Sequence, residues 1–502
     1  MNAALAEFPL QLGPPGTLAA IRAGLAAMGF DSETLCRELE IESMADLGKA
    51  ARANKPFEQR PERFRDWAGV FLFGAACPRS QLQSALGQTL LDALLAVGLL
   101  RPARDPQEGL ISPVFLYPVN GFIVASDRYD DPDQPGSRRD SQADVVFPGI
   151  FGGTLRFLEL LPDAPGGEAL DLCGGCGIGA LSLARQARLA VSADITPRAT
   201  LFAEFNGLLN GCPNMEAVCG NLYAPVSGAQ YDLITAHPPY VPALGDPMIY
   251  RDAGDAGEDI TNAIVAGLST HLRPGGTALV LCQGRDTVEG TFEQRVRRWL
   301  GTAHNEFDII FALQTTKTIE AEAAEMSRRV SKPDHHQLVE LVERFRALGT
   351  RQFVYGALVL RRHLTEGEPA TLRTRLAFQT RAKDFDSLLQ WIERRRQPGF
   401  REWFGQARLR LSPACQLTVR HVVQDEQLVP AEFTFEVDQP FPAAMRIDGW
   451  VTPLVARLNG ATTPVEVYAA ARAADELPPD FRLDDFASLL ALLVERGFLR
   501  SS

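Results

Sequence analysis

The feature that most constrains the fold is a glycine-rich turn in the first half of the chain. An apolar run ends at Asp171, glycines occupy alternate positions from Gly175 to Gly179, and a helix-type run, ALSLARQ, follows. Glycine lets the backbone turn sharply and brings main-chain N–H groups close to a ligand at the start of the helix. The turn therefore predicts a strand–turn–helix unit that binds a nucleotide-like ligand.

Strand-like and helix-like runs alternate around this turn, from about residue 144 to residue 363. Such alternation predicts a mostly parallel sheet with helices on both faces. We therefore expect an α/β domain with a doubly wound, Rossmann-like sheet over residues 136–365. Residues 315–349 carry two helix-type runs between the last two strands, and we expect a helical insert there that helps to shape a substrate pocket.

The flanking segments predict two further domains, since 502 residues exceed what one core usually accommodates. Residues 1–135 show the apolar spacing of helices followed by two short β-type runs, which predicts a helical, winged-helix-like domain. Residues 366–502 predict an α+β domain with a second winged-helix-like end. Winged helices bind DNA or serve as packing units, and the net charge of −12 favours the second role here.

Composition narrows the classes of function. No apolar run approaches the roughly 20 residues that span a bilayer, and the N-terminus lacks the pattern of a secretory signal. We therefore expect a cytoplasmic protein with no membrane partner. The acidic balance also disfavours bare RNA as a substrate. Cys173 and Cys176 have C-x-x-C spacing, but no second ligand pair follows them, so we expect reduced thiols and no metal site.

Polar residues around the glycine turn indicate which ligand it holds. By itself the turn also satisfies a dinucleotide-binding pattern. Asp171, however, would repel a pyrophosphate and suits the ammonium group of S-adenosylmethionine (SAM). Asp194 closes the next strand, where it can accept hydrogen bonds from ribose hydroxyls of either ligand. Asn221 follows the probable third strand, where its amide can hydrogen-bond the adenine amine. These features favour SAM.

A second loop, HPPY at His237–Tyr240, follows the buried strand-like run YDLITA. The tyrosine ring can stack on a planar acceptor and tolerate developing positive charge. A neutral imidazole at position 237 can accept one hydrogen bond, and it can also remove a proton near neutral pH, so both roles are open. Tyr250 and Arg251 come shortly after the loop. Arg251 can clamp a substrate carboxylate.

Several stretches together resemble the small-domain group of class I SAM-dependent methyltransferases. They are DLCGGCG from Asp171, DITPRA from Asp194, FNGLLNG from Phe205, GNLY from Gly220, YDLITAHPPY from Tyr231, YRDAGDAGED from Tyr250 and LRPGGTALVL from Leu272. The group includes release-factor glutamine N-methyltransferases and ribosomal-RNA guanine N2-methyltransferases. Its loop reads Asn-Pro-Pro-Tyr or Asn-Pro-Pro-Phe, whose carbonyls bind a planar –NH2, whereas this chain carries His237.

The resemblance covers residues from about 145 to 363 and implies SAM as cofactor. The expected cofactor-binding residues are Asp171, Cys173, Gly175, Gly177, Asp194, Ile195, Asn221, Leu222 and His237. The expected catalytic residues are His237, Pro238, Pro239 and Tyr240. Those expected to contact the acceptor are Tyr240, Tyr250 and Arg251.

We therefore expect a SAM-dependent methyltransferase that acts on an N or O atom. Three features favour a small-molecule acceptor, such as a specialised metabolite or an amino-acid-like compound. They are His237 in place of the family's Asn, the helical insert and the negative net charge of the chain. Methylation of ribosomal RNA or of a protein side chain is the alternative. A different class is a SAM-binding or DNA-binding regulatory scaffold built on the winged-helix-like flanks. The sequence leaves the oligomeric state open.

Overall fold

The computed structural model describes residues 8–48, 55–105, 107–131, 133, 143–242, 249, 251, 253–329 and 335–501. The N-terminal region is mainly helical. Its elements are α1 (Pro15–Ala27), α2 (Ser32–Leu39), α3 (Lys55–Glu58), α4 (Glu62–Phe73), α5 (Arg79–Leu86), α6 (Gln88–Ala96), β1 (Arg101–Pro102), β2 (Leu110–Ile111), β3 (Phe115–Val119) and β4 (Phe122–Ser126). β3 and β4 form an antiparallel hairpin. Its turn residues, Asn120 and Gly121, both have positive φ, as tight hairpin turns favour.

One mixed sheet of eight strands lies at the centre of the part of the chain that the structure describes. Its strands are β5 (Glu168–Leu172), β6 (Leu189–Asp194), β7 (Met215–Cys219), β8 (Tyr231–Ala236), β9 (Leu272–Thr287), β10 (Phe307–Lys317), β11 (Thr350–Arg362) and β12 (Thr371–Arg375). Their order is β12-β10-β11-β9-β8-β5-β6-β7. Strands β5 to β9 run parallel to their neighbours among themselves, whereas β11 is antiparallel to β9 and β10. The predicted doubly wound α/β fold is confirmed.

Helices cover both faces of this sheet. They are α7 (Gly152–Leu160), α8 (Ile178–Leu183), α9 (Pro197–Asn210), α10 (Asp259–His271), α11 (Phe292–Trp299), α12 (Ile319–Arg329) and α13 (His335–Ala347). The chain builds one half of the sheet from β5 to β7 and then returns to the other side of β5 with β8. Ligands of such sheets bind at this reversal, beside the carboxyl ends of the strands.

The N-terminal region is packed directly onto α9. Asn206 accepts a hydrogen bond from the Ala125 N–H at 2.8 Å and donates to the Ala125 carbonyl at 2.9 Å. It also donates to the Cys176 carbonyl at 2.9 Å, inside the glycine-rich turn. Asp127 and Arg198 form a buried ion pair at the same interface. The β3–β4 hairpin, α9 and the turn are therefore held as one unit.

The C-terminal region continues from β12. Its elements are α14 (Ala382–Arg396), α15 (Phe400–Gly405), β13 (Leu409–Leu411), β14 (Gln416–Gln424), β15 (Gln427–Val437), β16 (Ala443–Ile447), α16 (Val451–Ala456), α17 (Pro464–Ala473), α18 (Leu483–Glu495) and β17 (Leu499–Ser501). Arg156 of α7 clamps this region to the sheet domain. Its guanidinium donates to the carbonyls of Ala377 at 2.7 Å and of Phe378 and Thr380 at 3.1 Å.

Three predictions about the flanking regions remain open. The winged-helix-like character and the role of both end regions stay predictions, as do the domain boundaries. Helices α12 and α13 lie between β10 and β11.

In the described ranges, no helix combines the length and apolar character needed to cross a bilayer.

Candidate functional site

The glycine-rich turn lies at the reversal of the sheet, between β5 and α8. Gly177 has φ +82°, and a β-carbon there would lie 2.8 Å from the Ala203 β-carbon, so the turn packs against α9 too closely for any other residue. Gly175 also has positive φ, but a β-carbon there would meet nothing within 4 Å. The space above Gly175 is therefore open to a ligand, while Gly177 is buried beneath the turn.

Asp171 lies under the turn with its carboxyl group buried. The Thr235 hydroxyl donates to Asp171 Oδ1 at 2.9 Å, and the main-chain N–H of Ala180 donates to the same carboxyl group. Burial raises the pKa of Asp171 to about 7, and these hydrogen bonds only partly oppose that rise. A cation at this site, such as the ammonium group of SAM, would favour the ionised carboxylate.

Asp194 closes β6 and faces the turn from the side. Its Oδ2 accepts a hydrogen bond from the Gly175 N–H at 3.0 Å, and its Oδ1 accepts one from the Thr196 N–H at 3.0 Å. The Thr196 hydroxyl also donates to Oδ1, at 3.3 Å. An ionised carboxylate has about four acceptor positions, so Oδ2 keeps capacity for a ribose hydroxyl. The arrangement fits the ribose of SAM and fixes the carboxylate before the ligand arrives.

The wall beside Asp194 is apolar. Ile195 is 53% exposed although it is a large aliphatic residue, and it lines the same cavity as Leu222 and Asn221. Leu222 has φ +47°, a conformation that costs roughly 1–3 kcal/mol for a residue other than glycine. An exposed aliphatic side chain beside a carboxylate suits the adenine and ribose of one nucleoside.

A single cavity of about 1020 Å³ joins the turn to the HPPY loop. The loop leaves the carboxyl end of β8, next to the end of β5, so both motifs open on the same side of the sheet. Segment 143–157, which precedes β5, forms a further wall of this cavity. Gly149 of that segment lies against the turn, where its N–H donates to the Tyr117 hydroxyl oxygen at 2.6 Å.

His237 stands between two aromatic rings at the acceptor end of the cavity. The Phe157 ring lies 5.7 Å away at an interplanar angle of 27°, and the Tyr240 ring lies 5.9 Å away at 28°. Burial lowers the pKa of His237 to about 4, because the surrounding apolar rings replace water and disfavour the charged imidazolium. The lowered pKa predicts a neutral imidazole at physiological pH, which can accept one hydrogen bond and donate another.

The helical insert supports the acceptor loop from behind. Val241 packs into a buried apolar cluster with residues of α12, α13 and β11, and Tyr240 borders that cluster. Tyr355 of β11 contacts Tyr240 with 5.5 Å between ring centroids. Burial raises the pKa of Tyr355 above its ordinary value, and the proximity of Tyr240 and a hydrogen bond between the two tyrosines add to this rise.

The structure brings most of the expected site residues into one cavity. Those that line it are Asp171, Cys173, Gly175, Asp194, Ile195, Asn221, Leu222, His237, Pro238, Pro239, Tyr240 and Arg251. Gly177 lies beneath the turn and shapes it without lining the cavity. Tyr250 falls outside the described residues. The ligand contacts of all these residues stay predictions.

Sequence reasoning missed the wall that precedes β5. Phe147, Phe151, Gly153 and Phe157 all line the cavity, and Tyr355 borders the acceptor loop from β11. The one available signal was the pair of adjacent glycines in GGTLRF. Glycine destabilises a helix, so two glycines at its start indicate that a neighbouring group approaches the backbone closely. Aromatic residues at helical spacing give no such signal, because ordinary core residues show the same pattern.

A cavity that joins a nucleotide-type turn to an aromatic acceptor loop is the arrangement of a SAM-dependent methyltransferase. The similarity of the chain to known proteins supports the same class. Residues 149–310 match the family model described as "Methyltransferase small domain". The chain is 31% identical over 251 residues to the ribosomal protein uL3 glutamine methyltransferase of Bradyrhizobium diazoefficiens, covering 47% of this chain and 75% of that relative. The chain belongs to the small-domain methyltransferase family.

Other relatives match over shorter stretches. The release factor glutamine methyltransferase of Geobacter sulfurreducens is 32% identical over 152 residues, which cover 27% of this chain and about half (53%) of the relative's length. Among solved structures, the Thermus thermophilus 16S rRNA N2 G1207 methyltransferase with bound SAM and guanosine is 16% identical. That match covers 55% of this chain and 61% of the other at a TM-score of 0.28. The predicted enzyme class and SAM as cofactor are confirmed by the family.

Proposed function

We propose that this protein methylates the side-chain amide nitrogen of a glutamine in a protein. The observation that carries the proposal is the position of His237, which lines the cavity between the rings of Phe157 and Tyr240. With its pKa lowered to about 4, the imidazole is a poor base at physiological pH but remains a good hydrogen-bond acceptor. An amide –NH2 group matches that property, because it offers N–H donors and needs no deprotonation before the methyl group is transferred.

The curated relatives support the same acceptor. Both of the named relatives are glutamine methyltransferases that act on translation proteins, ribosomal protein uL3 and a release factor. Their names do not support the small-molecule acceptor that the sequence favoured. They support the alternative of a protein side chain, and they favour an enzyme over a regulatory scaffold. A translation protein as substrate also agrees with the cytoplasmic location expected from the sequence.

The residues of this chain would act mainly by positioning. SAM supplies an electrophilic methyl group carried on a positively charged sulfur. The imidazole of His237 accepts a hydrogen bond from the acceptor N–H and so fixes the plane of the amide. Tyr240 lies beside the same plane, where its electron-rich face favours the positive charge that develops on nitrogen. Phe157 packs against the imidazole ring with 5.7 Å between ring centroids and limits its movement.

Methyl transfer to the amide nitrogen requires no strong base. The carbon–sulfur bond breaks with its electron pair left on sulfur while the nitrogen–carbon bond forms, so the amide nitrogen becomes cationic and acidic. A base with a pKa near 4 is weak towards a neutral amide but accepts a proton from this cation. His237 can therefore take the released proton and pass it to solvent.

The test is to find which molecules receive the methyl group. The full chain is incubated with methyl-labelled SAM and a bacterial extract separated into small molecules, RNA and protein, and the protein fraction is digested to amino acids. We expect label in N5-methylglutamine from the protein fraction. Asp194→Ala serves as the control that should transfer no label from SAM. Label confined to RNA nucleosides or to small molecules would contradict the proposal.

A further inference from the structure

We propose that Glu258 is a positioning residue for methyl transfer, because it anchors the segment that supports the HPPY loop. This segment, the brace, consists of residues 253–258 and immediately precedes helix α10. The inference rests on the proposed function only for the choice of acceptor, since any acceptor that enters the cavity would meet the same loop.

The brace contacts the HPPY loop where that loop ends. The Ala253 N–H donates to the Val241 carbonyl at 2.9 Å. Gly257 has φ +75°, and a β-carbon there would lie 2.6 Å from the Tyr240 carbonyl oxygen and 3.0 Å from Pro242 Cδ. The backbone of the brace therefore lies against Tyr240 more closely than a residue with a side chain would allow.

Glu258 follows Gly257 and fixes the brace to the sheet domain. It is 4% exposed, and its carboxylate lies between two arginines. Arg285 of β9 donates to this carboxylate from its main-chain N–H at 2.8 Å and from its guanidinium at 2.7 Å. Arg295 of α11 donates from both terminal nitrogens at 2.8 Å. The Arg285 guanidinium also donates to the Thr350 hydroxyl at 2.9 Å, so the cluster reaches β11 as well.

Stability alone is a weak reason for such a buried cluster. Removing a carboxylate and two guanidinium groups from water costs free energy that their mutual attraction repays only in part. Apolar residues of similar size often replace buried ion clusters without loss of stability. A fully hydrogen-bonded cluster does, however, hold its neighbours in one arrangement. Here that arrangement sets the distance between Gly257 and the acceptor loop.

A displaced brace would misplace the acceptor. Methyl transfer requires the acceptor atom to be aligned with the methyl group of SAM, and a misplacement of about 1 Å can cost roughly a hundredfold in rate. Glu258 does not line the cavity, so it would act through Tyr240, which does. The expected ribose contact, Asp194, is fixed by its own hydrogen bonds at the end of β6. Loss of the anchor should therefore affect the rate of transfer and spare the binding of SAM.

The first comparison is between Glu258→Gln and Glu293→Gln in the full chain. Glu293 is the matched control, because it is 6% exposed and its carboxylate binds the Arg373 guanidinium. Its other described side-chain hydrogen bond comes from Thr291 and not from the brace. The maximal rate of label transfer from SAM into a bacterial extract and the KM for SAM are measured, with SAM affinity by calorimetry and thermal stability.

A second comparison changes no charge. Gly257→Ala inserts a methyl group between the brace and the Tyr240 carbonyl. Gly228→Ala is its control, because Gly228 has a similar φ of +83° but a β-carbon there would meet nothing within 4 Å. This pair decides the question if Glu258→Gln fails to fold.

A fluorine signal gives a readout that is independent of activity. The eight tyrosines are replaced by 3-fluorotyrosine, and Tyr240→Phe identifies the ¹⁹F signal of position 240. Glu258→Gln and Gly257→Ala should both shift this signal, because each changes how the brace lies against the loop. The two control variants should leave it in place.

We expect Glu258→Gln and Gly257→Ala each to lower the maximal rate about thirtyfold, with SAM affinity within about twofold of the wild type. Both controls should stay within about twofold of the wild-type rate. An unchanged rate and Tyr240 signal in Gly257→Ala, or equal losses of rate in Glu258→Gln and Glu293→Gln, would overturn the positioning role. Label found only in RNA or small molecules would instead overturn the proposed function, while the same comparisons still test the brace.

Discussion

The cofactor side and the acceptor side of the cavity are built in different ways. The cofactor side comes mainly from residues 171–222, where β5, β6, β7 and the turns after them supply two carboxylates. Hydrogen bonds from the main-chain N–H groups of Gly175 and Thr196 and from the Thr235 hydroxyl fix these carboxylates. The acceptor side draws on α7, the HPPY loop, the helical insert and β11, which are far apart in the chain. It is held by aromatic contacts around a neutral histidine.

This difference implies that the two sides can vary separately. The polar contacts of the cofactor side are local in the chain and lie within short motifs. Among the described residues no acid forms an ion pair with His237, so the acceptor side depends on the positions of its aromatic rings. Changes on one side should leave the binding function of the other largely intact.

The largest effect is expected for Asp194→Ala on the cofactor side. The substitution removes the acceptor for ribose hydroxyls and releases the Gly175 N–H from its partner. Hydrogen bonds to charged groups contribute about 1.5–3 kcal/mol each, so SAM affinity measured by calorimetry should fall about a hundredfold or more. Asp232→Ala, at the opposite ends of the strands, should bind SAM like the wild type. Retained affinity in Asp194→Ala would remove the assigned ribose contact.

A smaller effect is expected from pH at His237. Because the folded-state pKa of about 4 lies below the unfolded value of 6.5, the unfolded chain binds the proton more readily. Stability is therefore lost as pH falls from 6.5 towards 4, by about 2 kcal/mol between pH 7 and pH 5. In urea unfolding, His237→Asn should lack this part of the acid destabilisation. Equal losses in both proteins would show that the imidazole titrates normally.

The smallest effect tests the support of the imidazole ring. Phe157→Leu keeps an apolar side chain in α7 but loses the face that stacks on His237. We expect methyl transfer to fall about tenfold with SAM affinity within about threefold, and stability to fall by less than about 1.5 kcal/mol. Phe385→Leu is the matched control, since it lies in the same apolar cluster but does not line the cavity. Equal transfer rates in the two variants would contradict the role of Phe157.

The sequence was informative where the chemistry is local. The turn from Asp171 to Gly179, the acid at Asp194 and the HPPY loop could each be recognised within a few residues, because each must combine a strand end with a sharp turn. Gly153, Phe157 and Tyr355 could not, since their meaning depends on packing between distant segments. The pKa of His237 likewise depends on the rings packed around it, whereas the sequence alone leaves both roles open, base and hydrogen-bond acceptor.

The central claim is that His237 is a neutral hydrogen-bond acceptor, and its titration tests this directly. Histidine-selective ¹⁵N labelling allows the imidazole signals of the seven histidines to be followed by NMR, with His237→Asn identifying the signal of position 237. We predict that the His237 signal stays that of a neutral ring from pH 8 down to pH 5. A titration midpoint at 6.5 or above would contradict the claim and make His237 a general base.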